Sequence, residues 1–255
     1  MKLWLNGTLQ EAEHTRIDPA DRGFLLGDGL FETMVGEEGA VRELARHYAR
    51  LRAGAALLRL EVPCSQNDLA QAIAQMLAEN GLSRAALRLT LTRGVGPRGI
   101  LPAEPSIPTM LLTASALPAV AGPAQLVTSS IRRDETSPLS RVKSLNYLPN
   151  ILARLEAAEQ GADDALLLNH AGRAAEASAA CLFVLRHDGW VTPPVSEGAL
   201  PGICRAVLLE TGRVQEALVT EMDLAQAHAL CLGNALSLRP VASLNGHSYA
   251  RLATP

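Results

Sequence analysis

The sequence predicts a mixed α+β chain folded as two units, a small α/β unit over residues 1–118 and a larger one over 119–255. Three observations carry this reading. In both halves, short apolar runs bounded by glycine, asparagine or aspartate alternate with stretches whose apolar residues recur every three or four positions. The segment Ala116 to Pro123 consists of small residues and proline, which reads as a linker. The 255 residues are enough for one large core or two modest ones.

In chain order, residues 3–9 read as a strand returning through Asn6-Gly7, a strong hairpin signal. Asp18-Pro19 and Asp21-Arg22-Gly23 are loop chemistry, and Gly27-Asp28-Gly29 leads into a strand from Leu30 to Val35. Residues 44–60 are helical on the spacing of Leu44, Tyr48, Leu51, Ala55 and Leu58, with His47, Arg50 and Gly54 on a neighbouring strip. A second helix opens at Ser65, where Asp68 completes a capping box, and stops at Asn80-Gly81. Strands are expected at 85–92 and 108–114, around a loop rich in proline. Beyond the linker, a strand near Leu126 is followed by a loop through Pro138 and then by Lys143. Asn146 reads as a helix cap and Pro149 as a first-turn residue, with Leu148, Ile151, Leu152, Leu155 and Ala158 as one apolar stripe ending at Gly161. Strands at 164–169, 180–186 and 190–192, a helix from Leu200-Pro201-Gly202 to Gly212, and a strand pair near 227–232 and 240–244 complete the chain.

Composition excludes several classes of function. A net charge of −3 gives no electrostatic footprint for nucleic acid or an anionic membrane. No apolar run approaches the length of a membrane span, and the opening Met1–Gly7 breaks too early for a signal-peptide apolar region. Cys64, Cys181, Cys204 and Cys231 are widely spaced and read as reduced thiols of a cytoplasmic protein; no metal-ligand cluster is expected. The substrate expected is a small molecule.

The chain has 23 basic residues, of which Lys2 and Lys143 are the only lysines; the other 21 are arginine. Arginine stays protonated near neutral pH and cannot serve as an amine nucleophile, whereas lysine in a suitable pocket can. A lysine kept at 143, just before a helix start, therefore points to chemistry. The segment Leu200-Pro201-Gly202-Ile203-Cys204 offers an uncapped helix start whose free amides and dipole suit a phosphate. Glu176 stands alone among small residues before an apolar strand, and a buried carboxylate needs a cationic partner, for which Arg173 is the local alternative. Gly94-Val95-Gly96-Pro97-Arg98-Gly99 has the glycine spacing of a dinucleotide loop but opens no helix. It reads better as a loop presenting Arg93 and Arg98 to an anionic substrate.

An amine, a carboxylate and a phosphate cradle are what pyridoxal 5′-phosphate demands. The order Arg50, Lys143, Glu176, Gly202–Cys204 resembles the fold-type IV pyridoxal-phosphate enzymes, the class IV aminotransferase family. The resemblance includes Asp21-Arg22-Gly23, Gly27-Asp28-Gly29-Leu30-Phe31-Glu32-Thr33, His47-Tyr48-Ala49-Arg50-Leu51 and Asn234-Ala235-Leu236. It implies a small N-terminal α/β domain, a larger β-rich C-terminal cofactor domain flanked by helices, and a homodimer. It also implies that Lys143 carries the cofactor and shuttles protons, that Glu176 pairs with the pyridine nitrogen, and that Arg50 with the amides of Ile203 and Cys204 holds the phosphate. Asn234 and Ala235 are expected near the cofactor. Phe31, Arg93, Arg98, Tyr147 and Asn234 are the expected substrate contacts. The chain departs from the family pattern at Cys181, where asparagine is common, and at Cys204, where threonine is common; a thiol contributes a weaker phosphate contact.

The family diverges in reaction. Asn234-Ala235-Leu236 followed by Arg239-Pro240-Val241 resembles the 4-amino-4-deoxychorismate lyases, which release pyruvate and 4-aminobenzoate for folate synthesis. Leu145-Asn146 is shared by lyases and D-amino-acid transaminases, and Tyr147 is similar to the branched-chain enzymes. The lyase is the preferred expectation; a class IV transaminase acting on D- or branched-chain amino acids is the alternative. A non-enzymatic cofactor-binding scaffold fits poorly with retention of both Lys143 and Glu176.

Overall fold

The computed structural model describes residues 1–119, 121–250 and 254–255, and the linker expected at 116–123 includes Val120, which lies outside the described residues. The chain divides into two compact units: Met1–Pro118 with Val142–Asn146, and Ala119–Arg141 with Tyr147–Pro255. The short excursion at 142–146 takes Lys143 into the first unit, although the sequence boundary at 118/119 assigns it to the second.

The first unit is an antiparallel sheet with three α-helices. Its strands are β1 (Lys2–Leu5), β2 (Thr8–Glu11), β3 (Gly29–Glu37), β4 (Ala40–Val41), β5 (Arg84–Thr92) and β6 (Thr109–Ser115), in the order β2-β1-β6-β5-β3-β4. Asn6 and Gly7 both have positive φ and close the first hairpin, as their composition dictates. A one-turn helix α1 (Arg22–Leu26) forms where the sequence reads as loop, capped by Asp21, which accepts from the Gly23 amide. Helix α2 (Leu44–Leu58) and helix α3 (Gln66–Glu79), the latter started by the Ser65–Asp68 capping box, bury Leu51, Ala55, Leu69, Ile73, Met76 and Leu77 against Leu30, Met34, Leu87, Leu89 and Leu112 of the sheet. Gly54 allows a close approach of α2: a Cβ there would lie 3.1 Å from Val142 and 3.2 Å from Leu30.

The second unit is a mixed sheet. Its strands are β7 (Ala124–Arg133), β8 (Asp164–Asn169), β9 (Ala174–Ala177), β10 (Cys181–Arg186), β11 (Gly189–Thr192), β12 (Gln215–Glu216), β13 (Ala229–Gly233) and β14 (Leu238–Leu244). They run in the order β12-β11-β10-β13-β14-β7-β8-β9, with β15 (His247–Ser248) paired to β14. Neighbouring strands β14 and β7, β7 and β8, and β11 and β12 are parallel. Helices α4 (Leu148–Glu159), α5 (Ile203–Glu210) and α6 (Glu221–Gln226) complete it. The sequence reading has neither β9 nor α6.

One expectation about α4, its cap, is corrected. Tyr147, not Asn146, is the N-cap residue, and the Asn146 amide group instead donates to the carbonyl of Gly27 at 3.2 Å. The buried face is Asn150, Ala153 and Ala157, with the two alanines packed against Ala165 and Leu167 of β8, because small residues let helix and sheet approach closely. The leucine stripe faces outward, with Leu148 70%, Ile151 50%, Leu152 50% and Leu155 54% exposed.

The loops of the first unit are held by buried charge. Asp28 accepts from Arg22 Nε at 2.9 Å and from Arg93 Nε and Nη2 at 2.8 and 3.1 Å. Burial alone would raise the Asp28 carboxyl, but the two guanidinium groups outweigh it and hold it below the ordinary value. Replacing Asp28 with asparagine leaves two nearly buried arginines without their counter-charge. We expect a loss of about 3 kcal/mol in urea unfolding.

Candidate active site

In the first unit, β5 occupies one edge of β3, and the Lys143 segment takes the other edge at its start. The amide of Phe31 donates to the carbonyl of Lys143 at 2.9 Å, and the amide of Leu145 donates to that of Gly29 at 2.9 Å. Leu30 and Ser144 form the antiparallel bridge between them. The Lys143 backbone is therefore fixed by sheet hydrogen bonds. Its Nζ lies 4.2 Å from the centroid of the Phe31 ring, which also has the Arg88 guanidinium carbon at 4.0 Å. An aromatic face attracts an ammonium while stripping part of its water.

The next residue of β3, Glu32, is 1% exposed and organises a buried charge cluster. It accepts from Arg50 through Nε–Oε1 at 2.8 Å and Nη2–Oε2 at 2.6 Å, and His47 Nδ1 lies 2.7 Å from Oε2. A carboxylate can only accept, so Nδ1 is the protonated nitrogen of His47. Burial would raise the Glu32 carboxyl; the hydrogen bonds from His47 and Arg50 and their charge overcome it and place it below the ordinary glutamate value. Arg50 thus presents a guanidinium whose orientation is set by a two-point fork. The Phe31-Glu32 pair within the Gly27–Thr33 motif is the signal in the sequence for this cluster.

Arg93 does not extend toward a substrate. It is 6% exposed, grips Asp28, and donates to the carbonyls of Arg59 and Leu58 at the end of α2, at 3.0 and 2.8 Å. The expectation of Arg93 as a substrate clamp gives way to a structural role, because Asp28 and two helix-end carbonyls outcompete solvent for its fork. Arg98 is exposed on the same loop. Arg22, unassigned from sequence, ties that loop down by donating to the carbonyls of Gly99 and Ile100 at 2.8 and 2.6 Å. Gly94 is obligatory: its φ is +80° and a Cβ would lie 1.9 Å from the Ile107 carbonyl oxygen.

In the second unit, Glu176 lies on β9 opposite Leu167 and is 6% exposed. Its Oε1 is 3.0 Å from Arg133 Nη2, and its Oε2 accepts from the amide of Leu200 at 2.9 Å. Arg173, the partner suggested by proximity in sequence, joins Glu197 instead. The Leu200 contact connects Glu176 to the start of α5. There Gly202 is an N-cap with no side-chain cap, so the amides of Ile203 and Cys204 have no intrahelical acceptor. A Cβ at Gly202 would lie 2.4 Å from Cys181 Sγ, and one at Gly233 would lie 2.6 Å from Phe183 and 3.2 Å from Cys204 Sγ. Cys181 and Gly233 are direct partners across β10 and β13, so three elements converge on the helix start. Burial pushes the Cys204 thiol up, partly offset by Arg213, and pushes Cys231 up to about 12. Neutral thiols add no negative charge to repel an anion there.

Asn234 and Ala235 form the turn between β13 and β14, where Asn234 Oδ1 accepts from the amides of Leu236 and Ser237 at 2.9 and 3.1 Å. Tyr147 is half-buried at the start of α4. The structure thus groups Phe31, Glu32, Arg50 and Lys143 within the first unit. It groups Glu176, Gly202–Cys204, Asn234 and Ala235 within the second.

The family model for amino-transferase class IV matches residues 29–244. A Methanocaldococcus jannaschii protein described as a branched-chain-amino-acid aminotransferase is 33% identical over 96% of this chain and 88% of its own length. A D-alanine aminotransferase of Listeria monocytogenes is 30% identical over 98% of this chain and 90% of its own. The crystal structure of 4-amino-4-deoxychorismate lyase from Pseudomonas aeruginosa superposes with a TM-score of 0.84 at 30% identity, covering 97% of this chain and 93% of that one. The chain belongs to the class IV aminotransferase family of pyridoxal-phosphate enzymes.

Its residues fit that cofactor by the chemistry of their donors. The first unit offers a primary amine on a backbone fixed by β3 and an oriented arginine; the second offers a carboxylate braced by a guanidinium and a helix start with no side-chain cap. Among the described residues, one further cluster, Asp134, Glu135 and His170, has the geometry of metal ligands, and no ion is assigned to it.

Two outcomes follow. The depressed Glu32 carboxyl contributes stability that is present above its ordinary range and lost as pH falls through its folded value. The gap between wild type and Glu32→Gln is therefore expected to be about 3 kcal/mol at neutral pH and to close in acid, as read by urea unfolding across pH. Gly202→Ala is expected to weaken cofactor binding about tenfold in a fluorescence titration of apoprotein. Adding Cys181→Ala, which removes the clash, should restore it.

Proposed function

We propose that this enzyme is an aminodeoxychorismate lyase, converting 4-amino-4-deoxychorismate to 4-aminobenzoate and pyruvate. The observation that carries the reading is the Gly233–Ser237 turn. Its Asn234-Ala235-Leu236 sequence resembles the lyases, and Gly233 lies against Cys204 at the helix start that we assign to the phosphate. Pyridoxal phosphate, when bound, supplies an aldehyde that receives a primary amine and a ring that draws electrons from the bond to be broken.

We assign Lys143 Nζ as the base that takes the substrate ring proton and as the acid that returns one to the departing three-carbon group. The Phe31 ring beside it limits hydration of the amine, and the sheet bonds to β3 hold its backbone still during transfer. Glu176 accepts a hydrogen bond from the cofactor ring nitrogen and keeps that proton in place. Arg50 and the amides of Ile203 and Cys204 bind the phosphate. Arg98, exposed on its glycine-rich loop, is our assigned contact for a substrate carboxylate, with Phe31, Tyr147 and Asn234 as further substrate contacts. The reaction balances internally: a ring C–H bond and a C–O bond break, a C–H bond forms on the three-carbon fragment, and no acceptor is consumed.

A transaminase is the second reading, favoured by the names of the two relatives at 33% and 30% identity. It consumes a 2-oxo acid and passes its amino group through the cofactor, whereas a lyase does not. Release of pyruvate and 4-aminobenzoate from 4-amino-4-deoxychorismate without added 2-oxo acid supports the lyase. Absence of both products, with loss of the cofactor's visible band on adding D- or L-amino acids, supports the transaminase. Lys143→Ala should reduce turnover at least about a thousandfold in either reaction.

We also propose a homodimer, supported by the exposed stripe Leu148, Ile151, Leu152 and Leu155 on α4, which a second copy would cover. Sedimentation should give twice the chain mass, and Leu155→Glu should shift the population to monomer.

A further inference from the structure

Arg133 ends β7 with its side chain 16% exposed, and nothing in the sequence distinguishes it from the other arginines. Its guanidinium is committed in three directions. Nη2 serves Glu176 Oε1 at 3.0 Å and the Ser140 carbonyl at 3.0 Å, and Nε donates to the Gly198 carbonyl at 3.0 Å. The two carbonyls fix the plane of the guanidinium, and that plane in turn fixes one oxygen of Glu176. The Leu200 amide holds the other oxygen at 2.9 Å. A carboxylate held from both ends has little rotational freedom, and a neighbouring guanidinium balances its buried charge.

We propose that Arg133 is a positioning residue for the cofactor, one that presents Glu176 to the ring nitrogen as a fixed, ionised acceptor. This rests on the assignment of Glu176 to the ring nitrogen made above. Without the Arg133 charge, the carboxylate competes for the ring proton instead of only accepting a hydrogen bond from it. The same loss frees Glu176 to rotate away from the Leu200 amide. The expected signature is therefore a change in the protonation of the cofactor ring, beyond any change in stability.

The test uses holoenzyme loaded with pyridoxal phosphate labelled with nitrogen-15 in the ring. The ring-nitrogen NMR shift is compared for wild type, Arg133→Met, Arg133→Lys and Glu176→Gln, and cofactor affinity and unfolding temperature are measured on the same samples. We expect Arg133→Met to move the shift toward the unprotonated ring and to weaken cofactor binding about tenfold. Arg133→Lys, which keeps a charge beside Glu176 but gives up the fork to the two carbonyls, should retain a shift near wild type. If Glu176→Gln moves the shift and both Arg133 variants leave it at the wild-type value, the inference is overturned and the assignment of Glu176 survives. If Glu176→Gln itself leaves the shift unchanged, the assignment fails and the inference fails with it. Should Arg133→Met not fold, Arg133→Gln, which keeps hydrogen-bond donors but loses the charge, takes its place: a shift moved toward the unprotonated ring supports the inference, and a wild-type shift overturns it.

Discussion

The interaction on which the first unit's chemistry depends is the pairing of Lys143–Leu145 with the open edge of β3. After leaving for the second unit at residue 119, the chain returns for five residues and adds a fragment of strand to the first sheet. Two backbone hydrogen bonds and one bridge then determine where the Lys143 amine stands relative to Phe31. Because neighbouring residues on β3 point to opposite faces, the same strand presents an aromatic ring to Lys143 and a buried carboxylate to Arg50. Shifting this register by one residue would move the lysine to the other face.

The rest of the polar architecture suits an arginine-rich chain. Asp28 is shared by Arg22 and Arg93, Glu32 is held by Arg50 and His47, and Glu176 is held by Arg133. Glu32 and Glu176 are buried and Asp28 is partly buried, and in each the desolvation is offset by a guanidinium that cannot lose its proton. Lys2, the other lysine, lies at the chain start, 2.8 Å from Glu79. Lys143, by contrast, is the lysine that the pairing with β3 holds beside the Phe31 ring.

What the sequence made legible was local. Capping at Ser65, the hairpin at Asn6-Gly7, the periodicity of α2 and the helix start at Gly202 are each set by residues a few positions apart, and each formed. Lys143 stood out by composition alone. The misreadings involve partners far apart in sequence. Arg93 meets Asp28 across 65 positions, and Arg133 meets Glu176 across 43; with 21 arginines in the chain, charge alone does not say which pairs. The packing face of α4 is not legible for a different reason. Helical periodicity finds an apolar face, but alanines can pack closer to a sheet than leucines, and here the close contact was the one formed. Strand β9 was missed because Ala174–Ala177 lacks the β-branched residues that mark strands; its pairing with β8 supplies what propensity does not.

The most direct measurement exploits the two-lysine composition. The protein, saturated with pyridoxal phosphate, would be reduced with borohydride, digested and mapped by mass spectrometry. The reduced cofactor is expected on Lys143 alone, at one equivalent per chain. Label on Lys2 or on the N-terminal amine, or a chain that takes up none, would contradict it.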